Sequence, residues 1–589
     1  MRIDRTHPWS AMPGPQAARW PVTRPPIGQI NPGSGVLSPG NTVTSDDIAM
    51  FDMMWMTEDW RNSYLGSIVN ALEVGFDPYG LSFVGQVWRV TDRMEALVRM
   101  YELTGVPKYL DQVREFAMRI LSDRDDHRPD SLLRIDQFRW KVMPAWGTVG
   151  VDQGYYYLAD RVVAFKYSYP IAAFARIVAE NPALYDQYGA DAKAAATQVL
   201  ETMQAFVPEL IIKTGSDGGE ERIFLGNDGW RLLTPDRCQW AYDTALAKVN
   251  SVDPTGSDKF ANEDRAVLKT QHDTCNANRG GVGKPEAHNV NTTFMIMLIE
   301  LSRALDSDLF RLDDSLPVER KLLLDAIAKR IIPQIVASMH RYYINRLEVD
   351  VKGEDPFYKW RYQEEDPKPV YDDTSHANLE MKYIGLLQDN WSRLDALLAA
   401  SGFDKIRALD NSGNPLLEGF ANTFLYMVAG DVVPGISGHL AFRVDGTPTR
   451  LPGAYDWVSD GWLALAKVNG LVYSKCETVS LRGWDSSIDN PNDDPNIHPT
   501  PFPVLWEGNH AALLALKQFR PPVVVVQRTI VPDVLEETLA NAERLILDAG
   551  LVPASSGSGR VVTSQSPPAG ANVVVGSTVN IVLKNRPIQ

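Results

Sequence analysis

Three observations predict a mainly helical chain, an (α/α) toroid of about six or seven helical hairpins followed by a small α+β domain. Amphipathic helical runs succeed one another in pairs from residue 46 to 519. Five short polar stretches with His, Asn or Gly each lead into an apolar run of helical length. At Arg520 the texture changes to β-branched runs broken by Pro and Gly. An irregular α-solenoid is the competing layout for the helical part.

Residues 1–45 are rich in Pro and Gly (PGPQ, RPPIG, NPGSG, SPGN) and predict an extended arm. DRMEALVRMYELTG is amphipathic and stops at Gly105, a C-cap candidate, and KYLDQVREFAMRILSD follows as its hairpin partner. YPIAAFARIVAEN and YGADAKAAATQVLETMQAFVPELI make a second pair. VERKLLLDAIAKRIIPQIVASMHRYYINR predicts one long helix kinked at Pro333. The five polar leads are His288–Asn291, Ser375–Asn378, Gly419–Asn422, Ser459–Gly461 and Glu507–His510. Helix N-termini present unpaired N–H groups, so polar residues repeated there predict a cleft at a common mouth.

The chain has 589 residues, too many for one ordinary core, so two or more domains are expected. With 58 Lys and Arg against 74 Asp and Glu, the formal charge of −16 argues against nucleic acid or an anionic membrane as the main partner. No stretch reaches the roughly 18 apolar residues of a membrane span. The start, MRIDRTHPWSAMPGPQ, lacks the apolar region of a signal peptide. Cys238, Cys275 and Cys476 form no CxxC pair, which speaks against zinc. A strand-to-helix GxGxxG, a P-loop, a GxSxG elbow and HExxH are all missing, which removes nucleotide, serine-hydrolase and zincin chemistry.

Residues 520–589 read as a linker and a small domain. Val531-Pro532-Asp533-Val534 opens it, and a helix ends in Ala549-Gly550-Leu551-Val552-Pro553. Ser564-Gln565-Ser566-Pro567-Pro568-Ala569-Gly570 and Gly576-Ser577-Thr578-Val579 follow. Over residues 529 to 584 this closely resembles a PASTA domain. The resemblance implies an accessory or spacer module, able in some copies to contact cell-wall peptidoglycan. It also implies an extracellular, cell-surface or periplasmic setting.

The chemistry expected of the helical domain is β-elimination on a uronate polysaccharide. Such a lyase neutralises a carboxylate, removes the C5 proton and protonates the leaving oxygen, and no metal or cofactor is required. In architecture only, the domain resembles toroid lyases acting on alginate, glucuronan, hyaluronan and related uronates, which use an Asn/His/Tyr/Arg set at the toroid mouth. The matching residue types here are Asn291 and His288 for the carboxylate and His376 for the C5 proton. Tyr371, then Tyr362 or Tyr358, would be the acid, and Arg361 would orient the substrate. Trp360, Asn289, Asn378, Tyr156, Glu507 and His510 are candidate substrate contacts. The densest stretch is FYKWRYQEEDPKPVYDDTSHANLE, residues 357–380. Its bland alternative is a surface loop leading to a helix capped by Ser375.

Two other functions stay open. An inverting glycoside hydrolase needs two carboxylates about 6.5–9.5 Å apart. Asp152, Asp372, Asp373, Glu380, Asp456, Asp460 and Glu507 are its candidates, although acidic residues in a first helical turn often serve only the helix dipole. The lyase is preferred because His and Asn recur together while no acid pair stands out. A non-catalytic glycan-binding surface or virion protein is the other alternative. The tyrosines at 155–157, 167 and 169 suit a sugar-groove wall or an aromatic core equally. Asp489, Asp493 and Asp494 in SSIDNPNDDPN are a weak structural-calcium candidate.

Overall fold

The computed structural model describes residues 41–55, 81–127, 135–136, 139, 141–149, 157–225, scattered positions in 239–273, 285–362, 370–429, 439–447, 458–489, 503–520, 528–574 and 577–585. They fall into two units, one ending at Pro521 and one spanning Pro522–Gln589, close to the predicted boundary at 519/520.

The first unit opens with α1 (Ser45–Trp55) and the hairpin α2 (Leu81–Thr104) and α3 (Pro107–Ser122). Gly105 ends α2 at φ +66°, its N–H donating to the Tyr101 carbonyl at 2.7 Å. Only glycine takes that left-handed cap cheaply, and Pro107 then fills a first-turn position whose N–H would be unused. Two short antiparallel pairs follow, β1 (Ile135–Asp136) with β2 (Lys141–Val142) and β3 (Gly147–Val149) with β4 (Tyr157–Ala159).

The second predicted hairpin is α4 (Arg161–Ala179) with α5 (Tyr185–Phe206). Asp160 caps α4 by accepting from the N–H groups of Val162 and Val163, so the helix starts eight residues before Tyr169. Tyr167 and Tyr169 are buried, as an aromatic core requires and a sugar groove does not. Among the described residues α4 alone is long and apolar enough to cross a membrane, and it is almost entirely buried inside the protein.

A β-hairpin, β5 (Leu210–Thr214) and β6 (Glu220–Phe224), precedes α6 (His288–Leu305). After the short α7 (Asp308–Arg311) comes the long helix, in which α8 (Val318–Ala326) passes through a π turn (Ile327–Ile331) into α9 (Ile332–Ile344). The wider turn lies just before Pro333, which has no N–H to donate backwards. The hairpin β7 (Glu348–Lys352) and β8 (Asp355–Lys359) leads to α10 (Thr374–Ala400) and α11 (Leu416–Thr423), the latter continuing as a second π turn to Val428. A 3-10 turn (Trp462–Lys467), α12 (Gly470–Asp489) and α13 (Pro503–Ala515) complete the unit.

Contacts run in sequence. α4 packs on α2, α5 and α6; α6 on α10; α10 on the 3-10 turn; that turn on α12; α12 on α13; and α13 on α2. One apolar core joins these helices. Phe165 lies wholly inside it, with ring centroids of Phe294 at 4.6 Å and Phe206 at 5.2 Å. Two polar leads do not open helices as expected. Gly419–Asn422 lies inside α11, and Glu507–His510 inside α13, which begins at Pro503. Asp489 ends α12 instead of lying in a loop. The side chains of Asp489 and Glu507, and the whole of Tyr156, Asp493 and Asp494, lie outside the described residues.

The second unit has the three-stranded order β10–β13–β11 (Val552–Ser556, Thr578–Lys584, Val561–Ser566) and the pair β12–β9 (Asn572–Val574, Arg528–Ile530). The helix α14 (Leu539–Asp548) is capped by Thr538. Along β13 the burial alternates, with Val579, Ile581 and Leu583 inward against Val534, Ile546 and Leu551. In the PPAG turn, Gly570 sits at φ +80° and donates to the Val531 carbonyl at 2.9 Å.

Candidate active site

Three short backbone segments lie side by side just before α10. The Tyr362 N–H donates to the Val370 carbonyl at 3.1 Å, and the Asp372 N–H to the Trp360 carbonyl at 3.0 Å. On the other side, Val444 N–H donates to the Asp372 carbonyl at 3.0 Å, and Thr374 N–H to the Phe442 carbonyl at 2.9 Å. Arg361 pairs with Tyr371 and Asp373 with Arg443 in antiparallel bridges. Residues directly paired, and residues two apart, share one face of extended backbone. Arg361, Tyr371, Asp373 and Arg443 therefore stand on one face, and Asp372 and Trp360 on the other, where both are fully buried.

Asp373 then becomes the N-cap of α10. Its Oδ1 accepts from the N–H groups of Ser375 (2.9 Å) and His376 (3.1 Å), and its Oδ2 meets His376 Nδ1 at 2.5 Å. The cap is Asp373, and the Ser375 hydroxyl bonds to it, which corrects the assignment of the cap to Ser375. Burial alone would lower the His376 pKa. The bond and charge of Asp373, with the charge of Asp372, outweigh it and raise the ring above its ordinary value. With Nδ1–H given to Asp373, the neutral ring offers the Nε2 lone pair. The His376 side chain is 31% exposed, and the Tyr362 ring lies over it at 4.7 Å. The Tyr371 hydroxyl donates to Glu348 Oε2 at 2.7 Å, which with partial burial keeps the phenol raised and protonated. Arg361 reaches the same carboxylate at 3.4 Å.

Behind this face is a buried carboxyl pair. Trp360 Nε1 donates to Asp372 Oδ2 at 3.3 Å and the Tyr343 hydroxyl to Glu380 Oε2 at 2.9 Å. Asp372 Oδ1 and Glu380 Oε1 are buried with no donor among the described residues. Buried so close to one another, the two carboxyls favour their protonated forms. Burial is the first cause of the upward shift in both, and it pushes Asp372 up to about 6; mutual repulsion adds to it at Glu380. His376 Nδ1 is 3.9 Å from Asp372 Oδ1. Donor atoms of Asp372, Asp373 and His376 lie within 4.8 Å of one another, a carboxylate–imidazole set that suits a divalent cation.

Of the predicted catalytic residues, Arg361 and Tyr371 meet at Glu348, and Tyr362 meets His376 ring to ring. The others do not. His288 is 1% exposed, wedged against the Tyr342 and Tyr343 rings, with its N–H on the Tyr362 carbonyl. Asn291 is buried; its Nδ2 donates to the carbonyls of Glu286 and Ala287 and its Oδ1 accepts from Phe224 N–H. Asn289 is buried as well. All three are buried at the start of α6 and do not face a cleft. Trp360 is completely buried against Tyr343 and Phe420 and offers no stacking face. Asn378 ties α10 to the 3-10 turn, donating to Asp460 and accepting from Gly461 and Trp462. His510 stacks on Phe51 and is pulled down to about 4 by burial. Tyr358 is buried and bonds Asp410.

Sequence reasoning missed Glu348, Arg443, the role of Asp373 as the partner of His376, and the Asp372–Glu380 pair. The i, i+3 spacing of Asp373 and His376 at a helix start was a usable signal; nothing marked Arg443. Also unanticipated is a cavity of about 360 Å³ toward the C-terminal halves of α2, α4 and α6. Its charges are mutually paired: Lys382 with Glu95 and Asp460 (both 2.8 Å), Arg99 with Glu95 (2.9 Å), and Arg176 with Glu300 (2.7 Å).

Residues 529–585 match the PASTA domain family, in agreement with the motifs of the second unit. No curated protein and no solved structure matches the chain. The C-terminal unit is thus a PASTA domain, and the helical unit carries the candidate chemistry.

Proposed function

We propose that the helical unit is a polysaccharide lyase that cleaves a uronate-containing glycan by β-elimination. The observation that carries this is a half-exposed His376 whose imidazole is fixed by Asp373 under the Tyr362 ring, with Tyr371 and Arg361 on the same ladder face as Asp373. In this mechanism His376 Nε2 takes the C5 proton. The C4–O bond breaks as a C4–C5 double bond forms, and the Tyr371 phenol gives its proton to the departing oxygen. Arg361 orients the sugar and Tyr362 packs against the base. The return of the helix contacts from α13 to α2 supports a closed toroid, with the patch at an inner helix start.

Burial weighs against the hydrolase. Asp372 and Glu380 are fully buried in the interior, and Asp460 is locked to Lys382, so none of these three offers an accessible acid or base. The PASTA domain supports a cell-surface or other extracytoplasmic setting, where it would act as a spacer or contact peptidoglycan. Incubation with alginate, glucuronan, hyaluronan, pectate and ulvan, followed at about 232 nm where the conjugated product absorbs, tests the proposal. A rising signal supports a lyase. New reducing ends with a flat trace would replace it with a hydrolase, and no reaction on any glycan would favour a binding protein.

A further inference from the structure

With Asn289, Asn291 and His288 buried, the proposed elimination lacks the group that must meet the substrate's carboxylate. We infer that Arg443 is that group, a specificity-determining residue that receives the uronate carboxylate; this rests on the lyase reading of the same site. Arg443 is bridged to Asp373 and stands on the face shared by Tyr371 and Arg361. One guanidinium nitrogen, Nη1, donates to the Tyr371 carbonyl at 3.2 Å, and the group lies 4.7 Å from the Phe442 ring centroid. These contacts fix its plane while leaving Nε and Nη2 without an acceptor among the described residues. A held, planar guanidinium with two free N–H edges fits a carboxylate.

The neighbouring carboxylates are otherwise engaged. Glu348 takes Arg361 and the Tyr371 hydroxyl. Asp373 takes His376 and Ser375. Asp445 accepts the Thr447 N–H at 3.0 Å. No described carboxylate forms an ion pair with Arg443, whereas Arg361 is already compensated. A charge left open beside a base and an acid is placed where enolate-like charge develops in the elimination.

The test is calorimetric titration of the whole protein with oligomers of alginate, glucuronan, pectate and hyaluronan, and with their carboxyl-reduced, neutral counterparts. Wild type, Arg443→Gln and Arg443→Lys are compared, with melting temperatures checked for equality. The inference expects at least one uronate oligomer to bind about ten-fold or more weaker to Arg443→Gln. Arg443→Lys should recover part of the loss, and the neutral counterpart should not respond to either substitution. Equal binding by wild type and Arg443→Gln, or no uronate binding at all, overturns it. Binding that depends on Arg443 without a rise at about 232 nm would keep this assignment and remove the lyase. A rise with KM unchanged in Arg443→Gln would do the reverse.

Discussion

Six residues apart on α10, His376 and Lys382 belong to two very different charge clusters. Around Lys382 every charge is matched: its ammonium meets Glu95, Asp460 and, at 3.6 Å, Asp92, while Lys166 takes Asp92 at 3.1 Å. Burial works against the Lys382 cation, yet the three carboxylates hold it raised. Burial likewise works against Asp460, which Lys382 and Arg99 hold well below the usual carboxylate range. That cluster carries fixed charges and joins α2, α4, α10 and the loop before the 3-10 turn. Around His376 the balance is incomplete. Two buried carboxyls are both shifted upward, an imidazole is raised above its ordinary value by the Asp373 bond and charge, and the Arg443 guanidinium has no counterion among the described residues. Fully matched charge holds helices together; unmatched, titratable charge at an accessible helix start is what chemistry needs.

The sharpest way to separate the two is His376→Ala. It should lower turnover by about 10²–10⁴-fold while the protein stays folded, the lost His376–Asp373 bond costing about 1–3 kcal/mol in unfolding. Full activity in this variant would remove the base from the account. Lys382→Met should do the opposite. It leaves Glu95 and Asp460 buried beside one fewer cation and should cost about 3–5 kcal/mol in denaturant unfolding. A cost under about 1 kcal/mol would mean that the cluster is not what holds these helices.

Smaller effects come from pH. In Asp373→Asn the helix keeps a competent cap, but His376 loses its largest raising partner. The neutral, proton-accepting ring grows as pH rises through the His376 value, so wild-type kcat/KM should have an acid limb with its midpoint above 6.5. Asp373→Asn should move that limb to lower pH and reduce kcat; an unmoved limb would mean another group is titrating. Smallest is Glu380→Gln. Burial makes both wild-type carboxyls, Asp372 and Glu380, hold a proton more tightly folded than unfolded. Their contribution to stability is therefore complete below ordinary carboxyl values and is lost as pH rises through about 6. Glu380→Gln should flatten the fall in stability between about pH 5 and 8. An unchanged slope would contradict the upward shift of these buried carboxyls.

Much of this was legible in the chain. Gly105 followed by Pro107 marks a hairpin, Pro333 marks the irregular turn in the long helix, and the PPAG and AGLVP motifs mark the PASTA domain. These signals are local, set by backbone conformations that only a few residues tolerate. Which face a polar residue takes is not local. His288, Asn289 and Asn291 look like cleft residues in sequence, yet all three are buried at the start of α6, where the Asn291 amide serves the backbone groups of Glu286, Ala287 and Phe224. Trp360 and Tyr371 lie in one short stretch, and the alternation of an unpredicted three-segment ladder buries the first and exposes the second. Arg443 reaches the site only because residues 441–444 pair with 371–374, a contact about 70 residues long that no spacing reveals.

The most direct measurement is a progress curve at about 232 nm for wild type and His376→Ala, run side by side from pH 6 to 9 on the uronate panel. The account predicts a wild-type signal on at least one polymer, growing with pH through the acid limb, and a trace near baseline for His376→Ala throughout. Equal slopes in the two proteins, or no wild-type signal on any polymer, would contradict it.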